Sequence, residues 1–428
     1  MKKERILLLA GNFFPEQTGI GKFNGEMVEW LSLQGHSCTV VTTFPYYPQW
    51  TIQNPYIKNC YWFKSEIITV QGGEPIKLIR CPHYIPKNPS GGNRLISEFT
   101  FFLTAFLVLF YLFFKKKFSY IISIAPPFEI GLLGLFYKVV KGGKFLYHIQ
   151  DLQIDAAKDF LLIKSKLIIW FFFLVEKFIL KHADHISTIS VGMQEKIMLK
   201  CKREVLLFPN WVNTKMFYPL CNKKELKADF GFAMDDTVVI YSGSIGHKQG
   251  LESILHAAKE LESFPNIKFA ICGSGPYQEK LIKLKDDLCL QNVFFLPLQS
   301  FSTFNVFLNM ADFHLIIQKK SSGDLFLPSK LSAILSVGGV AIVTAIKGTS
   351  LYNIMSITNL GIVIEPENAS ALAKAIMVYN ESQLEQISKN ARSYAKINLA
   401  SNIILGNFFN QLFVSKVNPQ LIASDALK

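Results

Sequence analysis

The residues best suited to chemistry lie in short glycine-bearing loops that leave apolar runs. Tyr241-Ser242-Gly243-Ser244-Ile245-Gly246-His247-Lys248-Gln249-Gly250 follows the run Val238–Tyr241 and opens a helical pattern at Leu251. Glycines there let backbone N–H groups close on an anion, a helix N-terminus adds partial positive charge, and Lys248 adds a full one. Together these suit a diphosphate. Read alone, Lys248 is an ordinary solvated lysine and His247 an incidental loop residue. A second turn, Cys272-Gly273-Ser274-Gly275-Pro276, would let a ligand lie against the backbone, though it carries little by itself. A third element, Leu327-Pro328-Ser329-Lys330-Leu331, ends a loop before a helix, so Ser329 and Lys330 suit capping that helix and touching phosphate or ribose. Pro297, Leu298, Lys319 and Asp324 complete the donor-binding candidates. The three elements open at the C-terminal ends of strands, where open α/β sheets bind ligands.

A second group comes from the first half. His148-Ile149-Gln150-Asp151 ends an apolar run, so His148 could polarise a hydroxyl while Asp151 accepts a proton or orients the imidazole. The alternative is a satisfied structural His–Asp pair. With Lys248, these two are the catalytic candidates. In the loop from Gly11 to Lys22, Gly19 and Gly21 would admit an anion to the backbone or simply make a tight turn, and Thr18, Ile20 and Lys22 would face the same cleft. The spacing is neither G-x-G-x-x-G nor a Walker A loop. Asn210, in Pro209-Asn210-Trp211, is expected to line the cleft, as is Thr188-Ile189-Ser190. There is no H-E-x-x-H, no G-x-S-x-G and no D-x-D to hold a diphosphate through a metal, so neither metal nor cofactor is expected.

These loops need strands behind them. The first half repeats strand, loop and helix, with strands at Ile6–Leu9, Thr39–Thr42, Ile67–Val70, Tyr120–Ile124, Lys144–His148 and His185–Ile189, and a helix from about Phe23 to Gln34 closed by Gly35. The pattern restarts with strands at Val238–Tyr241, Lys268–Cys272, Val293–Leu296, Phe313–Ile317, Val340–Val343 and Gly361–Ile364. Helices fall between them at Leu251–Leu261, Tyr277–Leu288, Phe301–Met310 and Lys330–Val337. An α/β fold of two Rossmann-like, doubly wound domains facing a cleft follows, with boundaries at 1–212 and 213–395, then a last segment, 396–428, whose end looks loose.

The net charge of +13 calls for an anionic partner. Zinc-ligand spacing and aromatic RNA-binding signatures are lacking, so a membrane surface or sugar phosphate is favoured over nucleic acid. Seven scattered cysteines without a C-x-x-C pair read as reduced thiols of a cytoplasmic protein. The apolar run after the basic N-terminus is too short for a signal peptide and reads as a buried strand. Phe99–Phe114 carries no charge, yet ~16 residues at ~1.5 Å rise reach only ~24 Å, short of a bilayer core. Leu161–Leu180 is apolar but broken by Lys164, Lys166, Glu176 and Lys177. Both stretches fit a core or subunit helix or monotopic membrane contact, with a true span the least favoured reading.

Together, Thr18-Gly19-Ile20-Gly21, Gly35-His36, Pro45-Tyr46-Tyr47-Pro48-Gln49, His148-Ile149-Gln150-Asp151, Phe208-Pro209-Asn210-Trp211, the Tyr241–Gly250 loop and Pro328-Ser329-Lys330-Leu331 resemble glycosyltransferase family 4, and within it the colanic-acid fucosyltransferase group of bacterial exopolysaccharide enzymes. The resemblance runs from about Ile6 to Tyr394. It implies a GT-B fold with an acceptor-binding N-domain, a nucleotide-sugar-binding C-domain and a last helix crossing back to the N-domain. It also implies retaining transfer without metal, with Lys248 and the Ser329-Lys330 helix start stabilising the departing diphosphate and His148 beside the reacting sugar. Two departures stand out. Leu325 and Ala333 occupy the places of the family's paired glutamates, leaving Asp324, Ser332 or Glu365 to grip ribose and sugar. Ser244 replaces the usual arginine, with Lys248 and the Lys319-Lys320 pair as substitutes.

The leading expectation is a retaining, metal-independent glycosyltransferase adding a sugar, with fucose from GDP-fucose as one candidate, to a lipid-linked oligosaccharide in bacterial exopolysaccharide or capsule synthesis. It would be cytoplasmic and peripheral on the inner membrane. The alternatives are a nucleotide-sugar epimerase on the same fold and a catalytically silent membrane-associated assembly protein.

Overall fold

A computed structural model of the chain describes residues 3–16, 19–87, 89, 91–159, 163, 165–247, 249–322 and 328–414. The strands of the first half are β1 (Arg5–Ala10), β2 (Ser37–Thr43), β3 (Lys64–Ile68), β4 (Ile76–Cys81), β5 (Tyr120–Ala125), β6 (Lys144–Ile149), β7 (His185–Thr188) and β8 (Leu206–Leu207). They form one sheet in the order β3-β4-β2-β1-β5-β6-β7-β8. Only the β3–β4 pair is antiparallel. The second half adds β9 (Thr237–Ser242), β10 (Ile267–Cys272), β11 (Val293–Leu296), β12 (Phe313–Ile316), β13 (Ala341–Thr344) and β14 (Gly361–Ile364), ordered β11-β10-β9-β12-β13-β14 and parallel throughout. Strand order reverses between β1 and β5 in one sheet and between β9 and β12 in the other, and the crevice beyond such a reversal is where doubly wound sheets hold ligands.

The first half departs from its expected strands at the sheet edge. The strand expected at Ile67–Val70 runs instead at Lys64–Ile68, turns through Gly72 at φ +79° and pairs with the unanticipated β4. Apolar content misled here because β3 is an edge strand that opens with the polar run Lys64-Ser65-Glu66. Arg80 on β4 is buried because Glu66 Oε2 (2.8 Å), the Phe14 carbonyl (2.8 Å) and the Thr43 carbonyl (3.2 Å) all accept from its guanidinium.

The helices that matter for the site are α1 (Gly19–Leu33), α2 (Gly91–Leu112), α3 (Ile130–Lys141), α4 (Gln153–Asp159) and α5 (Lys166–His182). The first begins four residues before its expected start, so Gly19–Lys22 is a helical turn and not a loop. Its buried Phe23, Met27, Val28 and Leu31 recur at helical spacing against the sheet. The same logic splits α2. Phe101, Ala105, Val108, Leu109 and Leu112 pack into the core, while Ile96, Phe99, Leu103, Leu107 and Phe110 stay exposed.

Two chain crossings join the halves side by side. The Val212 N–H donates to the Leu399 carbonyl (2.8 Å) and the Ser401 N–H to the Val212 carbonyl (3.0 Å). The helix Ser401–Val414 then lies in the core of the first half. Phe408 stacks on Phe208 with centroids 3.8 Å apart, Phe409 on Trp30 at 5.8 Å, and Phe413 meets the Tyr120 ring at 4.8 Å.

Candidate active site

In the second half, backbone hydrogen bonds lace the two glycine turns together. The Gly243 N–H donates to the Cys272 carbonyl (3.0 Å), Ile245 N–H to Ser274 (2.9 Å) and Tyr277 N–H to Ile245 (3.2 Å). A Cβ on Gly273 would drive into the Gly243 carbonyl oxygen, and one on Gly275 into that of Ile245. The close approach these glycines permit is therefore between the two loops, which fixes the shape of the first. Tyr241 adds a further tie, its hydroxyl donating to the Ser244 carbonyl (2.7 Å). Gly246 sits against Gln249, whose Oε1 is buried without a partner among the described residues, as is that of Gln318 just past β12.

Two cations flank this loop. Lys330 Nζ donates to the Leu315 carbonyl (2.9 Å), lies 3.7 Å from the Tyr241 ring centre, and would sit 3.8 Å from a side chain begun at Gly243. Burial pushes its ammonium down to about 7, because the nearby groups solvate charge less well than water does. On the other side, Lys319 packs against Gly250, and its Nζ is 3.3 Å from His247 Nδ1. The capping expected of Ser329 and Lys330 is not realised. Among the described residues no side chain caps the helix Leu331–Ser336, where Pro328 accepts from the buried Leu331 N–H (3.1 Å) and Ser329 is exposed. Pro297 and Leu298 are exposed past β11, with the Pro297 carbonyl accepting from Cys272 Sγ (3.2 Å). Lys248, Asp324 and Thr18 lie outside the described residues.

On the facing side, Glu16 explains the Gly-Ile-Gly spacing. Its Oε1 accepts the N–H groups of Tyr46 (2.9 Å) and Tyr47 (2.8 Å), and its Oε2 accepts from Asn12 Nδ2 (2.9 Å). A Cβ on Gly21 would come within 2.9 Å of that carboxylate. Burial pushes the Glu16 carboxyl up to about 7 despite these donors. Gly19, at φ +58°, packs beneath the Tyr47 ring, and Ile20 is half-buried against the core. The Tyr47 hydroxyl is 3.3 Å from Ser244 Oγ, so the loop after β2 in one half and the glycine loop of the other meet in one hydrogen bond. Lys22 points away from this meeting, 3.8 Å from Glu26 and over the Phe217 ring, where Glu26 also accepts from Trp211 Nε1 (2.7 Å). Asn210 is buried beside Trp211 with no partner for its Oδ1 among the described residues. His148 is buried at the end of β6, its Nδ1 2.9 Å from Ser187 Oγ and its ring against Phe208, and burial pushes the imidazole down to about 3. Asp151 is partly buried just before α4, its carbonyl accepting the Gln153 N–H (2.9 Å).

The profile of the family described as "Glycosyl transferases group 1" matches residues 222–395. Over 416 residues the chain is 34% identical to the putative colanic acid biosynthesis glycosyl transferase WcaI of Escherichia coli K12, an alignment spanning 95% of this chain and 99% of that one. The chain belongs to the group 1 glycosyltransferases. Among solved structures, sucrose-phosphate synthase of Thermosynechococcus elongatus is similar with a TM-score of 0.73 at 19% identity, covering 96% of this chain and 100% of the other. Anabaena Alr3699/HepE in complex with UDP and glucose is similar with a TM-score of 0.69 at 12% identity and the same coverage. The fold is GT-B, as the sequence resemblance implied.

This group 1 glycosyltransferase holds a second polar cluster that no motif announces. Gln153 Nε2 donates to both carboxylate oxygens of Glu98 (2.9 Å each), and Gln153 Oε1 accepts the Phe128 N–H (3.0 Å). Burial and the neighbouring Glu129 carboxylate push Glu98 up to about 8, and burial pushes Glu129 up to about 7. The Tyr46 ring meets those of His83 (4.9 Å) and Trp50 (5.3 Å), and Arg94 lies over Trp50 at 4.9 Å. One sequence signal was available: Glu98 is the only carboxylate in the apolar helix α2, and a charge so placed is seldom incidental.

Proposed function

We propose that this glycosyltransferase moves a sugar from a nucleotide-diphosphate donor to a lipid-linked saccharide during bacterial exopolysaccharide synthesis, retaining the anomeric configuration and using no metal. The observation that carries the reading is Lys330, a desolvated lysine poised against Gly243 beside the two laced turns, which in this reading form the recess for an anion. An arriving diphosphate restores the charge that burial disfavours, and the same charge then stabilises the leaving group. Lys319 closes the recess from the other side, and Lys248 adds a third cation in this reading. Donors on the bound nucleotide would satisfy the buried Gln249 and Gln318 oxygens. Neutral His148, its Nδ1 held by Ser187, forms a wall beside the reacting sugar, and Asp151 receives or orients the acceptor hydroxyl.

The acceptor's lipid is supported by the surface of the first half. Exposed apolar residues of α2, of α3 (Phe136, Val139, Val140) and of α5 (Leu167, Trp170, Phe171, Leu174, Phe178) form adjoining patches, linked by the Phe106–Phe136 and Phe128–Phe172 contacts. Exposed Lys115, Lys116, Lys117, Lys166, Lys177 and Lys181 border them. Apolar side chains rimmed by lysines suit the headgroup region of an anionic leaflet, so the enzyme works as a peripheral protein on the inner membrane face. Among the described residues α2 alone is long and apolar enough to span a bilayer, but its core-facing side is built into the sheet packing.

GDP-fucose is the first donor to test, beside other GDP-, UDP- and dTDP-sugars. The expected result is chelator-insensitive transfer of radiolabelled sugar into extracted lipid from one donor. Release of isomerised nucleotide sugar without transfer would point to an epimerase, and no turnover of any donor would overturn the reading.

A further inference from the structure

We propose that the segment 57–64, which leads into the edge strand β3, is an aromatic anchor for an anionic lipid bilayer, set apart from the apolar helix surfaces at the cleft end of α2. The inference rests on the peripheral-membrane reading above and deepens it by fixing how the first half lies on the lipid.

Exposure is the first argument. Tyr61 and Trp62 are 85% and 75% exposed, Ile67 on β3 is 68% exposed, and Ile57 is exposed as well. Single apolar residues on a surface are ordinary, but four large ones within eleven positions form a patch of the kind that marks a contact. Tyrosine and tryptophan join an apolar body to a hydrogen-bonding tip. That combination is favoured where hydrocarbon meets headgroup.

Placement is the second. Phe63 packs, with Ile79 of β4, against the core that lies beneath α2, and Trp62 meets the Phe63 ring edge-on at 5.7 Å. In the β3–β4 ladder Ser65 pairs with Ile79 and Ile67 with Lys77, so alternation turns Ile67 and Lys77 to that same face. Ile76 and Leu78 turn to the opposite core. The anchor therefore lies on the side of the sheet that carries α2. Lys64 pairs with Arg80, next to the last residue of β4, which puts the segment at the strand ends where the cleft opens. The first turn of α2 follows β4 and starts from this end, whereas Lys115, Lys116 and Lys117 follow its other end. The 22 residues between, at ~1.5 Å rise, set the two ends ~33 Å apart.

Charge is the third, and it selects the lipid. Lys58 and Lys77 are exposed beside the aromatic residues, while Lys64 is held by Glu66 (2.9 Å) and lies 4.8 Å from the Tyr56 ring centre. A recess of about 380 Å³ opens between Lys58, Asn59, Tyr61, Trp62, Phe63 and Lys64, and its lining includes no carboxylate among the described residues. The ammonium and amide donors suit a lipid phosphate, and the ring walls suit the glycerol and first methylenes beneath it. Held at both ends of α2, the first half lies with that helix along the leaflet and the edge of the cleft against the headgroups.

The test uses the full chain and phosphatidylglycerol vesicles carrying brominated acyl chains, with tryptophan fluorescence as the readout. Native protein is expected to be quenched on binding, and Trp62→Phe to show a smaller quenched amplitude. Tyr61→Ser with Trp62→Ser should weaken partitioning by about ten-fold or more. Lys58→Gln with Lys77→Gln should make the remaining binding less sensitive to salt. Circular dichroism checks the fold of each variant. Unchanged partitioning of the double serine variant would overturn the anchor and leave the α2 surface standing; should that variant fail to fold, equal quenching of native protein and Trp62→Phe overturns it instead. Failure of the native chain to bind these vesicles would count against the membrane reading as a whole. A dimer in sedimentation velocity that the double serine variant abolishes, with vesicle binding intact, would assign the patch to a second copy of the chain and overturn the lipid assignment.

Discussion

Lys330 and Tyr241 form a cation–π pair with Nζ 3.7 Å from the ring centre, beside the Gly243 turn. With the ammonium pushed down to about 7, the free protein sheds a proton there that a bound diphosphate would make it keep. Nucleotide binding at pH 8 should then take up a proton, and affinity should fall as pH rises above about 7. Isothermal titration in buffers of different ionisation enthalpy measures both, and Lys330→Arg should flatten the dependence because arginine stays charged. The nucleotide-free protein should grow more stable from pH 7 towards 10.5, since the unfolded chain binds more protons across that window.

Gly273→Ala places a methyl group against the Gly243 carbonyl oxygen. Forcing the turns apart should cost about 1–3 kcal/mol in urea unfolding, by analogy with overpacked cores. Nucleotide affinity should drop with it, because the same backbone shapes the recess. Full affinity in a destabilised variant would separate the two effects and remove Gly273 from the donor site.

Glu98 and Glu129 should make stability fall as pH rises. Both carboxyls hold protons more tightly folded than unfolded, with values of about 8 and about 7 against 4.5. Between pH 4.5 and 8 the native state therefore binds more protons than the unfolded chain, and unfolding free energy declines with pH. Denaturation midpoints measured across that range should show the slope, and Glu129→Gln should reduce it.

Vesicle sedimentation addresses the apolar surface. Native protein should pellet with phosphatidylglycerol-containing vesicles, and less so at high salt as the lysine contribution is screened. Burying one phenylalanine side chain is worth roughly 1.5–3 kcal/mol, so Phe99→Asp with Phe110→Asp should weaken partitioning by more than about ten-fold. Equal pelleting of native and variant protein would place the membrane contact elsewhere.

Phe408→Ala removes a ring stacked on Phe208 in the core of the first half. A loss of about 3–5 kcal/mol is expected from such a cavity. Near-ultraviolet circular dichroism and urea titration would detect it.

Most of the architecture could be read from the sequence because parallel strands buried on both faces appear as plain apolar runs. Val238–Tyr241 and Phe313–Ile317 are examples, each within a residue or so of the observed strand. β4 escaped because Lys77 and Arg80 break its apolar run, and β8 because two residues carry no period. The glycine loops were visible as motifs, but the reason for Gly273 and Gly275 was not, since their partner is another loop. Glu16, His83, Glu98, Glu129 and Gln153 were passed over for a related cause. They come from separate strand ends and one helix, so only the fold sets their spacing.

The helix Ser401–Val414 supplies Leu405, Phe408, Phe409 and Leu412 to the core containing Leu8, Val28 and Ile122. The ribosome makes the first half before the second, yet four of its core side chains emerge only after the second half. Its β1 side must wait, partly solvated, while the entire second half is translated and packed. The first half is completed only after the second, so a chain stalled anywhere before Ser401 leaves Phe208 and Trp30 uncovered for a chaperone to hold.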